Sequence, residues 1–257
     1  IAFTGSTETG RIVMRTAAES LKKVSLELGG KSPNVVFADA DLGAAVRGAI
    51  TGIFYGKGEV CAAGSRLFVE ASIKDEFMEQ LTSKAAGMTV GDPNHPKTRL
   101  GAIVSKGQHE RVLSYIEAGI AEGATLRTGG QAATVDGRGY FVEATVFDDV
   151  KPDMKIAREE IFGPVLATLA FEHMDDAVAQ ANQTIYGLAA GVWTRDVGKA
   201  HRFARAVRAG TVWVNTYNRY DPGSPFGGFK QSGFGRDLGE RALEEYTQTK
   251  SVWVALD

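Results

Sequence analysis

The chain has 257 residues, 44% of them hydrophobic and 23% charged, with a formal net charge of −2. That length buries a substantial core as one large domain or two smaller ones, and the near-neutral balance offers no electrostatic footprint for nucleic acid or an anionic membrane. The single cysteine, Cys61, excludes an internal disulfide and fits a reducing compartment, the cytoplasm; His95, His109, His173 and His201 share no ligand spacing with it, so no metal site is expected.

The opening Ile1-Ala2-Phe3 reads as the end of a buried strand running into a turn at Thr4-Gly5-Ser6, as expected of a chain that starts partway through a larger fold. No apolar run reaches bilayer-spanning length, and the first residues lack the basic-then-apolar pattern of a signal peptide. The pattern predicts a helix over 10–20, strands over 24–28 and 34–37, a helix over 42–55 and a strand over 67–70. Helices follow over 73–86 and 105–122, then a strand over 166–171 and a helix over 175–184. A strand over 190–194, a helix over 197–209, a strand over 211–215, a helix over 239–246 and a closing strand over 252–256 complete the chain. In the helix over 73–86, Ile73, Phe77, Leu81 and Ala85 recur every four residues and share one face. This alternation predicts an α/β fold, a mostly parallel sheet with flanking helices. The Gly-Gly turn of GGKSPN marks a candidate domain change, and the long Gly/Pro-rich loops over 91–101 and 221–236 are candidates for function.

Four stretches carry candidate chemistry. FTGSTETGR sets Gly5 and Ser6 between a strand and a helix, as a phosphate-cradling turn does, but it matches neither common phosphate-loop fingerprint, and plain helix capping explains the same residues. In VSLELGGKSP, alternation puts Glu27 opposite Val24, Leu26 and Leu28. Taken locally, a solvated Glu on an exposed strand face is the better reading; a carboxylate activating water at the mouth of the turn is the other. In GEVCAAGSR, the small neighbours of Cys61 leave room for a ligand, and a loop rising toward a helix could aim N–H groups at an anion. Yet a lone cysteine is more often a small buried hydrophobe. AREEIFGPV reads either as a last helical turn stopping before Pro164, its paired acids a solvated face, or as Glu160 aimed at a sugar hydroxyl.

In their order, FTGSTETG, LELGGKSPNVVF, GEVCAAGSR, EEIFGPV, NQTIYGLAAGVWT, GTVWVN and PFGGFKQSGFGRDLG resemble the aldehyde dehydrogenase superfamily over the whole chain, which corresponds to the C-terminal, catalytic half of a member. The resemblance implies a remnant of a Rossmann-type cofactor domain over 1–29, a catalytic domain over 30–231, and a C-terminal helix and oligomerisation strand over 232–257. It implies Cys61 as nucleophile, forming a thiohemiacetal and then a thioester, and Glu27 as the base that activates water to release a carboxylic acid. Glu27 also points to the hydrolytic branch over the one that passes the acyl group to coenzyme A. Thr4, Gly5, Ser6, Leu28, Gly29, Glu160 and Phe162 are implied to bind the cofactor, NAD or NADP, and Tyr217, Tyr220 and Phe226 to line the aldehyde tunnel. The polar run Tyr217-Asn218-Arg219-Tyr220-Asp221 suggests an amino- or otherwise polar aldehyde. The implied partners are a small aldehyde and further copies of the chain, as a dimer or tetramer. The family's oxyanion-hole asparagine and the residues that hold the adenosine ribose correspond to sequence upstream of Ile1. Two alternatives stand beside this reading: a structural or oligomerising module of the same fold, and a cofactor-free thiol esterase using Cys61 and Glu27.

Overall fold

The computed structural model describes residues 1–256. β1 (Ala2–Thr4) leads into α1 (Thr7–Ala18), followed by β2 (Ser25–Glu27), β3 (Pro33–Val36), α2 (Leu42–Phe54), β4 (Arg66–Glu70) and α3 (Lys74–Ala86). After a long connection come α4 (Lys106–Ala121), β5 (Thr125–Thr128), β6 (Ala132–Val135), β7 (Arg138–Val142), β8 (Thr145–Asp148) and the single turn α5 (Lys155–Arg158). The chain closes with β9 (Val165–Phe171), α6 (Met174–Asn182), β10 (Ala189–Trp193), α7 (Val197–Ala206), β11 (Thr211–Val214), β12 (Gly233–Phe234) and α8 (Arg241–Tyr246).

The main sheet has seven strands in the order β11-β10-β3-β4-β9-β8-β5, all pairs parallel except β5 against β8. Its central strands are apolar on both faces because both faces are covered. Val35 and Phe68 pack into one core with Phe147, Ile156 and Phe203, whereas Val36, Leu67 and Val69 pack into the other with Ile53, Phe77 and Leu81. Helices α1, α2, α4 and α7 begin where side chains supply the missing acceptors. Asp41 accepts from the Ala44 N–H at 2.9 Å, Ser105 from Gln108 at 3.2 Å and Asp196 from Lys199 at 3.0 Å. A smaller sheet, β1-β2-β12, joins the first strands to a strand two hundred residues later: β1 runs parallel to β2 and β12 antiparallel to it.

The predicted α/β architecture is present, and most elements lie within a few residues of their predicted bounds. α1 starts three residues earlier than the pattern suggests because Ser6, not a later residue, caps it, accepting from the Thr9 N–H at 3.1 Å. The predicted strand over 252–256 is absent: the tail carries no strand pairing, and Val252, Trp253, Val254 and Leu256 are exposed, Trp253 at 93%. A strand requires a neighbouring edge, and within this chain none is offered to it.

Candidate active site

The LELGGK turn packs directly on the cysteine loop. A Cβ at Gly30 would collide with the carbonyl oxygen of Cys61, and a Cβ at Gly58, whose φ is +74°, would collide with the carbonyl of Gly163. The basic end of GEVCAAGSR is structural. Buried Arg66 donates to the carbonyls of Lys31 at 2.9 Å, Gln180 at 3.0 Å and Ala181 at 2.8 Å, which ties the loop to α6 and to the lead-in of β3. Tyr217 donates its hydroxyl to the Ala62 carbonyl at 3.0 Å and holds the residue after Cys61 in place. Cys61 follows the C-terminal end of α2 and leads into the strand β4, not into a helix, so the expectation of a loop rising toward a helix is corrected. Burial, then the Glu160 carboxylate, push the thiol pKa up, while the backbone amides of Ala62 and of Cys61 itself pull it down.

Glu27 is not the solvated residue that local alternation favours. It is 6% exposed, because β1 and β12 flank β2 on its two edges and the 226–237 loop covers it. Neither carboxylate oxygen makes a well-formed hydrogen bond among the described residues, although the Gly228 amide lies near enough to pull the carboxyl pKa down. Burial, followed by the nearby charge of Asp237, raises its pKa to about 8 against the opposing pull of Arg236. Thr4 is the cross-strand partner of Glu27, and the Gly5 N–H donates to the Glu27 carbonyl at 3.0 Å, so the turn at the start of α1 is registered on the same strand.

Glu160 lies beyond the end of α5, not on a last helical turn before Pro164. Its Oε1 accepts the Gly30 N–H at 3.0 Å, which brings EEIF against LGGK. Burial raises its pKa, opposed by that amide and by Lys31 and Arg111. The segment carrying Glu160 is irregular, and Phe162 sits at φ 58°, a left-handed conformation that costs a bulky residue on the order of 1–3 kcal/mol. Two α4 side chains hold it. Gln108 donates to the carbonyls of Ile161 at 2.9 Å and Phe162 at 2.8 Å, and Arg111 to that of Glu160 at 2.9 Å. Sequence reasoning passed over Gln108 and Arg111; their signal is an i, i+3 polar pair beside the buried stripe Val112, Tyr115 and Ile116. It also passed over Lys31, fully buried with an unpartnered Nζ, whose pKa burial and Arg66 lower to about 7.

All nine residues singled out for catalysis or cofactor binding line one cavity of about 820 Å³: Thr4, Gly5, Ser6, Glu27, Leu28, Gly29, Cys61, Glu160 and Phe162, together with Gln108 and Arg111. A second cavity, of about 560 Å³, is lined by Tyr55, Tyr217 and Tyr220, and Val60, the neighbour of Cys61, lines both. Phe226 does not line it. Its ring backs Tyr220 at 5.4 Å in an edge arrangement, so of the three predicted tunnel residues two face the cavity and one supports it.

Cys61 and the buried carboxylate of Glu27 thus line one cavity, and Val60 joins that cavity to the second. The model of the aldehyde dehydrogenase family matches residues 1–252, and the chain belongs to that family. It is 52% identical, over its full length, to a betaine aldehyde dehydrogenase of Rhizobium johnstonii, of which it covers 53%. Among solved structures it is similar to the NAD+ complex of an aldehyde dehydrogenase from Bacillus cereus, with a TM-score of 0.97 and 50% identity over 100% of this chain and 52% of that one. It is equally similar to the aldehyde dehydrogenase KauB from Pseudomonas aeruginosa, with a TM-score of 0.97 and 52% identity over 99% of this chain and 52% of that one. The chain thus spans about half the length of the relatives it matches.

Proposed function

We propose that this chain carries the acylation and hydrolysis centre of an NAD(P)-dependent aldehyde dehydrogenase that turns an aldehyde into a carboxylic acid. The observation that carries the reading is the convergence of the nine residues on one cavity around Cys61. The cavity suits the pyrophosphate and nicotinamide-ribose part of a dinucleotide: the amide-rich first turn of α1 behind Gly5 and Ser6 suits a pyrophosphate, and the Glu160 carboxylate suits a sugar hydroxyl. NAD is supported by the relative solved with it; NADP is the alternative. When bound, the cofactor supplies the hydride acceptor.

The sulfur of Cys61, once deprotonated, forms a bond to the carbonyl carbon, and the carbonyl π pair moves to oxygen. The amides of Cys61 and Ala62, which pull the thiol pKa down, are the donors this reading assigns to that oxyanion. Loss of hydride leaves an acyl thioester on Cys61. Ionised Glu27 then takes a proton from water, the hydroxide adds to the acyl carbon, the C–S bond breaks and the acid departs. In this reading residues 1–29 belong to the cofactor domain, 30–231 to the catalytic domain and 232–257 to an oligomerising extension.

Titration of the purified chain with NAD+, followed by stopped-flow mixing with a broadly accepted aldehyde, tests this. The expected result is saturable binding and an NADH burst that disappears in Cys61→Ala. Absence of both binding and burst defeats the reading for this chain, and Cys61-dependent ester cleavage without NADH would favour the thiol esterase instead.

A further inference from the structure

The second cavity carries a charge pattern that the reaction itself does not use. Its walls contain Arg47 and Arg219, together with Asn218, and no aspartate or glutamate. Neither arginine makes an ion pair among the described residues. The acids nearest in sequence are engaged outside the cavity wall: Asp41 caps α2 at Ala44, and Asp221 accepts the Gly223 N–H at 2.8 Å. The side-chain amide of Asn218 is buried and has no partner for its oxygen or its nitrogen among the described residues. A polar group in that state calls for a ligand or water.

The wall is also ordered. Trp213 donates its indole N–H to the Arg219 carbonyl at 2.7 Å and packs edge-on against Tyr220 at 5.5 Å. On the facing wall Arg47, Thr51 and Tyr55 succeed one another at four-residue intervals, and the guanidinium of Arg47 reaches back to within 3.4 Å of the Cβ position of Gly43, away from Cys61. The helical rise places Arg47 about 12 Å along the wall from Tyr55. We propose that the outer end of this cavity is a carboxylate subsite formed by Arg47, Arg219 and the Asn218 amide, selecting aldehydes that carry an anionic group at the far end of a medium-length chain. The subsite repels a cationic terminus, so the broad expectation of a polar aldehyde narrows to an anionic one and excludes an amino one. It rests on the reading of Cys61 as the atom that meets the aldehyde.

Because Cys61 is the only thiol, thiol-reactive probes of one length and three charges test the subsite without any cofactor: maleimidocaproate, its neutral amide, and aminopentyl maleimide. At low ionic strength the anionic probe should modify Cys61 about tenfold faster than the cationic one, and salt should erase the difference. In the Arg47→Ala/Arg219→Ala protein the ratio should fall toward one, and the corresponding double lysine variant should restore it. A cationic probe that reacts as fast as the anionic one, or a ratio unchanged in the double alanine variant, overturns the subsite. Failure of the neutral probe to label Cys61 would instead strike the nucleophile reading. The subsite is then read by calorimetry with adipate against hexamethylenediamine, where arginine-dependent adipate binding sustains it and no adipate binding ends it.

Discussion

At the scale of single residues, buried Glu27 sets a pH dependence of stability. The Glu27 pKa is raised from 4.5 to about 8, so between those values the folded chain keeps a proton that the unfolded chain has released. Stability therefore falls as pH rises through that window, whereas Glu27 in its proposed role of base must be ionised and works better toward its top. The Glu27→Gln protein should show a urea midpoint that no longer declines across the window. If the proposed reaction holds, its steady-state acid formation should drop by a factor on the order of 10²–10⁴, while the proposed NADH burst, which precedes water attack, persists; stopped-flow and steady-state assays read the two separately. Gly30 is a second residue-scale test. Gly30→Ala drives a methyl into the Cys61 carbonyl, and overpacking of this kind costs about 1–3 kcal/mol, readable as a lower midpoint in chemical denaturation.

At the scale of elements, α4 acts as a clamp on the Glu160–Phe162 segment. Gln108→Ala/Arg111→Ala removes three hydrogen bonds to carbonyls, each worth about 0.5–1.5 kcal/mol. The left-handed turn at Phe162 should relax, the proposed NAD+ affinity should weaken by roughly an order of magnitude or more, and amide exchange at 159–163 should quicken, with a smaller loss where Arg111 also donates to Tyr115. Elements whose cap and periodicity are both local were legible in the sequence: α2 was predicted over 42–55 and runs Leu42–Phe54, closed at its start by Asp41. The β5–β8 region was not. These strands average about four residues, and β5 and β6 alternate exposed and half-buried positions over so few residues that no period establishes itself. EEIFGPV was ambiguous for a related reason. Its conformation is held by α4, some fifty residues away, and nothing within the motif says so.

At the scale of the whole molecule, the apolar tail over 252–256 stands unpaired and exposed. We propose that it pairs with another copy of the chain, and deletion of 251–257 should lower the oligomeric state measured by analytical ultracentrifugation; an unchanged sedimentation coefficient per subunit would argue that the tail serves something else. Among the described residues no helix is long and apolar enough to cross a membrane.

By itself the sequence determined the order of elements, the α/β class and, through seven motifs in family order, the family and the set of residues that meet at the site. It could do so because caps, periodicities and motif order are properties of residues near one another in the chain. The tertiary structure alone decided that Glu27 is buried where alternation suggested solvent, because its cover comes from β12 and Asp237, two hundred residues on. It alone decided that Phe226 backs Tyr220 without lining the second cavity, that Gln108 and Arg111 line the first, and that the closing strand has no edge to join. Burial, pKa and strand pairing are set by what surrounds a group in space, and for these residues the surroundings lie far away in the sequence.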